Sequence, residues 1–290
     1  MNAKRIALAL TALTSATLLA GPDGDRIAAK CTVIDRNVMQ GFERTVFEFE
    51  GCEAWVVEPK QAAAGSPWVW CMEWPTAFQD RTGVKALLEA GYRWVTFNPA
   101  SGGRKKVFAG NQNDEMIAKR NRFQKFLVAE LGLEAKCGLV GMSWGGFYSV
   151  RYASEHPECV KAIFLDAPLL DFSTLARFKT GYIEQLQKYY PQISASYVGA
   201  NDPFQPVAAS RAETIAKAGI PVWIVYGASD TVVPAESNCM KFAAAFEKAG
   251  GHIKMWRDNL RGHHPHGLEP GEGIVFVNFF NDAAKPAEKK

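Results

Sequence analysis

The sequence has little charge of either sign to spare: 33 lysines and arginines stand against 30 aspartates and glutamates in 290 residues. Nothing in that near-balance builds a basic face able to follow nucleic-acid phosphates, so nucleic acid is excluded as a partner. The densest basic cluster, Lys119, Arg120 and Arg122, lies in a segment of helical period whose apolar side carries Phe123, Phe126, Leu127 and Leu131. It reads as the solvated face of an amphipathic helix. Also missing is any CxxC pair or zinc-like spacing of cysteine and histidine before residue 263, which argues against a structural metal site. No internal repeat is visible. Histidine is scarce, with five in the chain, and that scarcity later narrows the search for a general base.

Long apolar runs are lacking too. The longest at the N-terminus, Ile6 to Ala20, follows the basic head Met1 to Arg5 and is short of the roughly 20 residues that span a bilayer. This pattern predicts a signal peptide over residues 1–20, removed near Ala20, and a secreted or periplasmic protein with no stable membrane anchor. No cysteine follows the run, so a lipoprotein anchor is not expected. Removing Lys4 and Arg5 brings the remaining chain close to neutrality.

All six cysteines, Cys31, Cys52, Cys71, Cys137, Cys159 and Cys239, lie beyond that segment. An oxidising compartment permits disulfides, and six cysteines allow fifteen connectivities. Cys137 with Cys159, and Cys31 with Cys52, are the pairs to test; buried free thiols are the alternative.

What the chain has in abundance is alternation of strand and helix signals. RTVFEFEG and CEAWVVEP alternate apolar and polar residues about a glycine and predict an antiparallel hairpin. SPWVWC, RWVTFNP, CGLVGMS, CVKAIFLDAP and IPVWIVYGASD are apolar runs suited to strands buried on both faces, and helical patterns separate most of them. Strict alternation implies parallel strands in one α/β domain over residues 21–290, a mostly parallel central sheet with helices on both faces. Between residues 169 and 211 the pattern loosens and aromatics accumulate, which predicts a small cap inserted above the strand ends. The chain then closes with the strand HIKMWRD, the loop NLRGHHPHGL and a helix over GEGIVFVNFFNDA.

The chemistry gathers at Gly141-x-Ser143-x-Gly145, directly after one predicted strand and directly before a predicted helix. So sharp a turn strains its central residue and leaves no room for side chains two positions away, hence the glycines. An activated serine needs a base within hydrogen-bond reach and a carboxylate to orient that base. His156 and His252 are placed at the wrong end of the sheet. His263, His264 and His266 share the loop after the last strand; His263 is favoured for its Gly-His entry, with His264 and His266 as alternative bases. Three clustered histidines also suggest a metal, but Pro265 restricts the backbone and no carboxylate or cysteine is close in sequence, so none is assigned. For the acid, Asp230 just past its strand is favoured, and Asp166 at the end of the preceding strand is the alternative.

The order Ser143, Asp230, His263, each at a strand end, resembles the α/β-hydrolase superfamily over roughly Phe42 to Phe280. GHHPHGL together with SPWVW resembles a group of secreted bacterial esterase-like members. The resemblance implies the α/β-hydrolase fold, with Ser143 as nucleophile, Asp230 as orienting acid and His263 as base. It also implies an oxyanion hole from the backbone NH of Trp144 and one from the loop at Met72 or Glu73, where this chain has CMEW in place of the His-Gly of many lipases. The expected activity is hydrolysis of a small-molecule or polymer-borne carboxylic ester without a cofactor. Alternatives on the same machinery are a peptidase or amidase and a polysaccharide deacetylase; a catalytically silent binding protein is the alternative from another class.

Overall fold

Nine strands form one sheet in the order β1-β2-β3-β5-β4-β6-β7-β8-β9. The computed structural model describes residues 21–97, 114–171, 174 and 209–283. The expected signal peptide and nearly all of the expected cap lie outside these residues. In chain order the strands are β1 (Thr32–Met39), β2 (Phe42–Phe49), β3 (Cys52–Val57), β4 (Trp68–Cys71), β5 (Arg93–Phe97), β6 (Cys137–Met142), β7 (Val160–Asp166), β8 (Val222–Gly227) and β9 (Ile253–Asp258). The helices are α1 (Pro22–Ala28), α2 (Val84–Glu89), α3 (Asp114–Leu131), α4 (Trp144–Glu155), α5 (Ala209–Lys217), α6 (Cys239–Lys248) and α7 (Gly273–Asp282). Strands β1, β2, β3 and β5 pair antiparallel in turn, and β5, β4, β6, β7, β8 and β9 run parallel.

The central strands follow from their composition. Every residue of β4, β6 and β7 is buried, as an unbroken apolar run demands when helices cover both faces. Alternate side chains serve the two layers. Trp68, Trp70, Leu139, Ile163 and Ile224 pack against Phe123 and Leu127 of α3, Phe147 of α4, Ile215 of α5 and Phe246 of α6. Val69, Val140, Phe164 and Trp223 pack on the other face with Leu87 and Leu88 of α2 and Phe276 and Phe280 of α7. Each large apolar side chain buried in these layers contributes about 1.5–3 kcal/mol relative to exposure. Among the described residues no helix is long and apolar enough to cross a membrane.

Three features differ from the sequence reading. First, the stretch before the predicted hairpin, to which the sequence assigned no element, contains α1 and β1. Asp23 of α1 is buried and bonded to the buried Arg93 guanidinium at 2.8 Å, and Ile27 of the same helix is fully buried in the core, so α1 is docked by both an ion pair and apolar surface. Second, of the two readings left open for the cysteines the structure shows free thiols at all six, and neither pair to be tested forms a disulfide. Cys137 Sγ lies 3.5 Å from the Cys159 carbonyl, among buried groups where a thiol behaves as a small apolar residue. Third, Arg120 is fully buried and not on a solvated face. Its guanidinium lies over the Trp70 and Tyr148 rings at 5.7 and 5.4 Å, and its Nη1 is 2.9 Å from Met72 Sδ. Lys119 and Arg122 do face outward, and both bond to Glu50.

Candidate active site

Strand β6 feeds directly into α4, and Ser143 sits at the junction with φ +49° and ψ −113°, a conformation that non-glycine residues rarely adopt. The strain is held in place by main-chain bonds. Ser143 NH donates to the Asp166 carbonyl at 3.0 Å, and its own carbonyl accepts from Gly146 at 2.9 Å and Leu169 at 2.8 Å. Gly141 is required, since a Cβ there would lie 2.4 Å from the Gly145 carbonyl oxygen. At Gly145 the nearest atoms to an added Cβ would be 3.4 Å away on Glu73, an ordinary contact; the tight second position is Gly146, where a Cβ would come within 2.3 Å of Pro168. The close-packing requirement expected at Gly145 therefore belongs to its neighbour.

The structure brings Ser143, His263 and Asp230 into one chain. His263 Nε2 is 3.1 Å from Ser143 Oγ, and His263 Nδ1 is 2.8 Å from Asp230 Oδ2. With its proton on Nδ1, the imidazole donates to the carboxylate and presents an Nε2 lone pair to the hydroxyl. The second Asp230 oxygen accepts from the Val232 and Val233 NH groups at 2.9 and 2.8 Å. Burial by itself would raise the Asp230 pKa, but the His263 bond and these two amides outweigh it, and the carboxyl is held below its ordinary value. Only 7% of the His263 side chain and 1% of the Asp230 side chain are exposed, so the charge on this pair is poorly screened by water. The arrangement can move a proton from hydroxyl to imidazole while the carboxylate stabilises the resulting cation.

Asp166 and His266 are also brought together, with each other. His266 Nδ1 is 2.8 Å from Asp166 Oδ1, and both side chains are at most 2% exposed. Asp166 further accepts from the Gly267 NH at 2.8 Å and from Arg261, whose Nη1 lies 3.2 Å from Oδ2. Among the described residues His266 Nε2 has no hydrogen-bond partner, an omission that costs about 1–3 kcal/mol in a buried group. His264 is exposed and stacks on Phe78 at 5.7 Å. Its partial burial, and next the neighbouring His266 and His263, hold its pKa below the ordinary histidine value. His156 caps the far end of α4 and His252 precedes β9, both as anticipated.

Trp144 opens α4 directly after Ser143. Of the two expected loop donors, Met72 is ruled out, because its NH already donates to the Val140 carbonyl at 3.0 Å. The Glu73 backbone lies against Gly145, and the loop is shaped by Cys71 Sγ donating to the Glu73 carbonyl at 3.1 Å.

Two residues that sequence reasoning passed over organise the histidine loop. Arg261, 5% exposed, donates to the carbonyls of Pro265 and Gly267 at 3.0 and 2.8 Å as well as to Asp166. Gly227 ends β8 so close to the loop that a Cβ would lie 2.2 Å from the Gly262 oxygen and 2.3 Å from the Arg261 oxygen. At the loop's other end Gly267, with φ +89°, leaves 2.2 Å between such a Cβ and the Arg81 oxygen. The only sequence signal for Arg261 was an arginine in front of Gly-His, and its i,i+3 neighbour Asp258 accounts for only part of its bonding, at 4.0 Å.

The sheet order, the sharp β6–α4 turn and the strand-end placement of these groups define the class: the chain has the α/β-hydrolase fold. A family model described as alpha/beta hydrolase fold matches residues 77–196. Among solved structures the chain is similar to the S-formylglutathione hydrolase of Agrobacterium tumefaciens, at 16% identity and TM-score 0.59 over 87% of this chain and 96% of that one. It is likewise similar to acetyl xylan esterase 1 of a Thermoanaerobacterium species, at 16% identity and TM-score 0.58 over 90% and 91% of the two chains. Similarity to the Pyrococcus horikoshii acylaminoacyl peptidase, at 15% identity and TM-score 0.61, covers 92% of this chain and 44% of the peptidase, so the chain spans less than half of that protein. No curated protein matches the sequence.

Proposed function

We propose that the protein is an exported serine hydrolase that cleaves carboxylic esters, small or carried on a polymer, through an acyl-enzyme. Ser143 Oγ attacks the ester carbonyl as His263 Nε2 takes its proton. Asp230 holds the imidazole in the productive tautomer and stabilises the imidazolium. The negative charge that develops on the carbonyl oxygen is met by the NH groups of Trp144 and Glu73, with the N-terminus of α4 directed at it. His263 then returns its proton to the departing alcohol, and water repeats the sequence on the acyl group. No step requires a metal or a cofactor.

The observation that carries this reading is the Asp230–His263–Ser143 chain at 2.8 and 3.1 Å, ending on a serine in a strained backbone conformation. The strained turn presents Oγ to the histidine, 3.1 Å from its Nε2. Support for an ester over a peptide comes from the two hydrolases that this chain matches along nearly their full length, one of them an acetyl xylan esterase. The basic head and apolar run of residues 1–20 support export. The test is labelling of the purified protein with a fluorophosphonate, followed by peptide mass spectrometry and a substrate panel of acetyl esters, longer acyl esters and peptides. An adduct on Ser143 with turnover of esters is expected. A folded protein that forms no adduct would sink the proposal and favour a silent binding role.

A further inference from the structure

His263, His264 and His266 do not simply share a loop; their rings close on one another. The ring centroids lie 4.8 Å apart for His263 and His264, 4.9 Å for His263 and His266, and 4.8 Å for His264 and His266. Each pair is steeply inclined, at 63°, 83° and 85°. Each residue offers a ring nitrogen, and the three nitrogens lie within 4.8 Å of one another. Bonds of about 2.0–2.1 Å to a shared tetrahedral ion would bring such nitrogens to about 3.3 Å, an approach of about an ångström and a half or less.

The buried ring nitrogens are already prepared as ligands. His263 and His266 each direct Nδ1 at a carboxylate, Asp230 and Asp166 respectively, both at 2.8 Å. A carboxylate on the far nitrogen fixes the tautomer and leaves the lone pair on Nε2, as it does in metal-binding histidines generally. His266 Nε2, on a side chain 2% exposed, has no other partner among the described residues. The objection from sequence, that no carboxylate lies near this loop, falls because the fold supplies one from the end of β7 and one from the end of β8. Pro265 does not separate its neighbours, since His264 and His266 face each other across it.

We propose that His263, His264 and His266 form a binding site for a divalent transition ion of the zinc type, and that occupancy switches the serine site off. Three neutral imidazoles with a fourth position left to water suit Zn²⁺, and also Cu²⁺ and Ni²⁺, whereas Mg²⁺ and Ca²⁺ require oxygen ligands. The ion takes the His263 Nε2 lone pair that otherwise accepts the Ser143 proton, so metal and serine compete for one nitrogen.

The experiment is an equilibrium competition for Zn²⁺ between chelator-treated protein and a chromogenic zinc indicator, with fluorophosphonate labelling of Ser143 followed in parallel. One ion per chain at micromolar or tighter affinity is expected, with labelling falling as occupancy rises and returning on chelation. His264→Ala removes an exposed ligand and should weaken binding at least about tenfold while the thermal transition stays in place; Asp166→Asn should weaken it about 10–100-fold. His156→Ala and His252→Ala should bind as the parent does. Absence of saturable binding, unchanged binding by His264→Ala, or full occupancy with undiminished labelling would each overturn the proposal. The binding measurement does not depend on the ester reading, so the two can fail separately.

Discussion

Two histidine–aspartate pairs lie side by side in this protein, their rings 4.9 Å apart and their Nδ1-to-carboxylate distances both 2.8 Å. They differ in what surrounds them. The Asp230 carboxylate is completed by two amides of its own loop, and the His263 ring it holds points at a hydroxyl. The Asp166 carboxylate is shared with Arg261 and the Gly267 NH, and the His266 ring it holds points at no hydrogen-bonding group among the described residues. The same pair of side chains thus makes a proton acceptor in one setting and a loop clamp in the other. The third group, not the pair, decides which.

The largest test of that difference is to remove each imidazole in turn. Ser143→Ala and His263→Ala should each lower kcat on a small ester about 10⁶-fold, with the thermal transition unchanged for Ser143→Ala. His266→Ala should keep measurable turnover and lose about 1–3 kcal/mol of stability by denaturant unfolding. Equal losses of turnover from both would erase the distinction. Next in size are the carboxylates. Asp230→Asn should cost about 10⁴-fold in kcat by leaving the wrong tautomer. Asp166→Asn removes the buried carboxylate nearest the Arg261 cation, leaving only Asp258 at 4.0 Å, and should appear mainly as lost stability of up to about 3–5 kcal/mol.

A smaller effect is the response to acid. Asp230 is held below its ordinary value in the native state. The stability it contributes is therefore present above the unfolded carboxyl value, about 3.9, and is lost as pH falls through the lower native value. The Tm gap between the parent and Asp230→Asn should narrow over that acidic window and be constant above it; a gap that widened on acidification would show the opposite shift. Smallest is the thiol pattern, which separates buried inert groups from accessible ones. Burial pushes the Cys239 thiol up to about 12 and the Cys71 thiol well above the ordinary value, whereas Cys31 is half-exposed. A native-state thiol titration should register Cys31 at most, and unfolding without reductant should release six; fewer than six would reveal a disulfide.

What the sequence made legible is what composition alone determines. Strands β4, β6, β7 and β8 are apolar runs that only a doubly covered sheet can bury, and Ser143 and Asp230 lie where two of those runs end. Strand β1 was illegible because an edge strand needs one apolar face at most; its Asp35, Arg36 and Asn37 resemble a loop, and its register comes from β2. Arg120 looked solvated because its neighbours Lys119 and Arg122 are. The helical period in fact sets it three and seven residues before Phe123 and Leu127, on the buried face, and the rings of Trp70 and Tyr148, distant in sequence, receive its charge there. The choice among three adjacent histidines was open for another reason. It depends on which carboxylate each ring meets, and those carboxylates come from strands far away in the chain.

The crossing of Gly227 beneath Gly262 has one more consequence. Main chain touches main chain there, and at Gly267 it touches again against Arg81, so the loop between is clipped at both ends with four residues, His263 to His266, spanning the gap. Such a loop tolerates exchange of side chains but not a change of length. One residue added or removed between the clips would carry the imidazole past its serine while every strand stayed in register. Length variation among proteins built this way should therefore collect outside the two glycines and stop at them, as a ruler permits writing along its edge but not stretching.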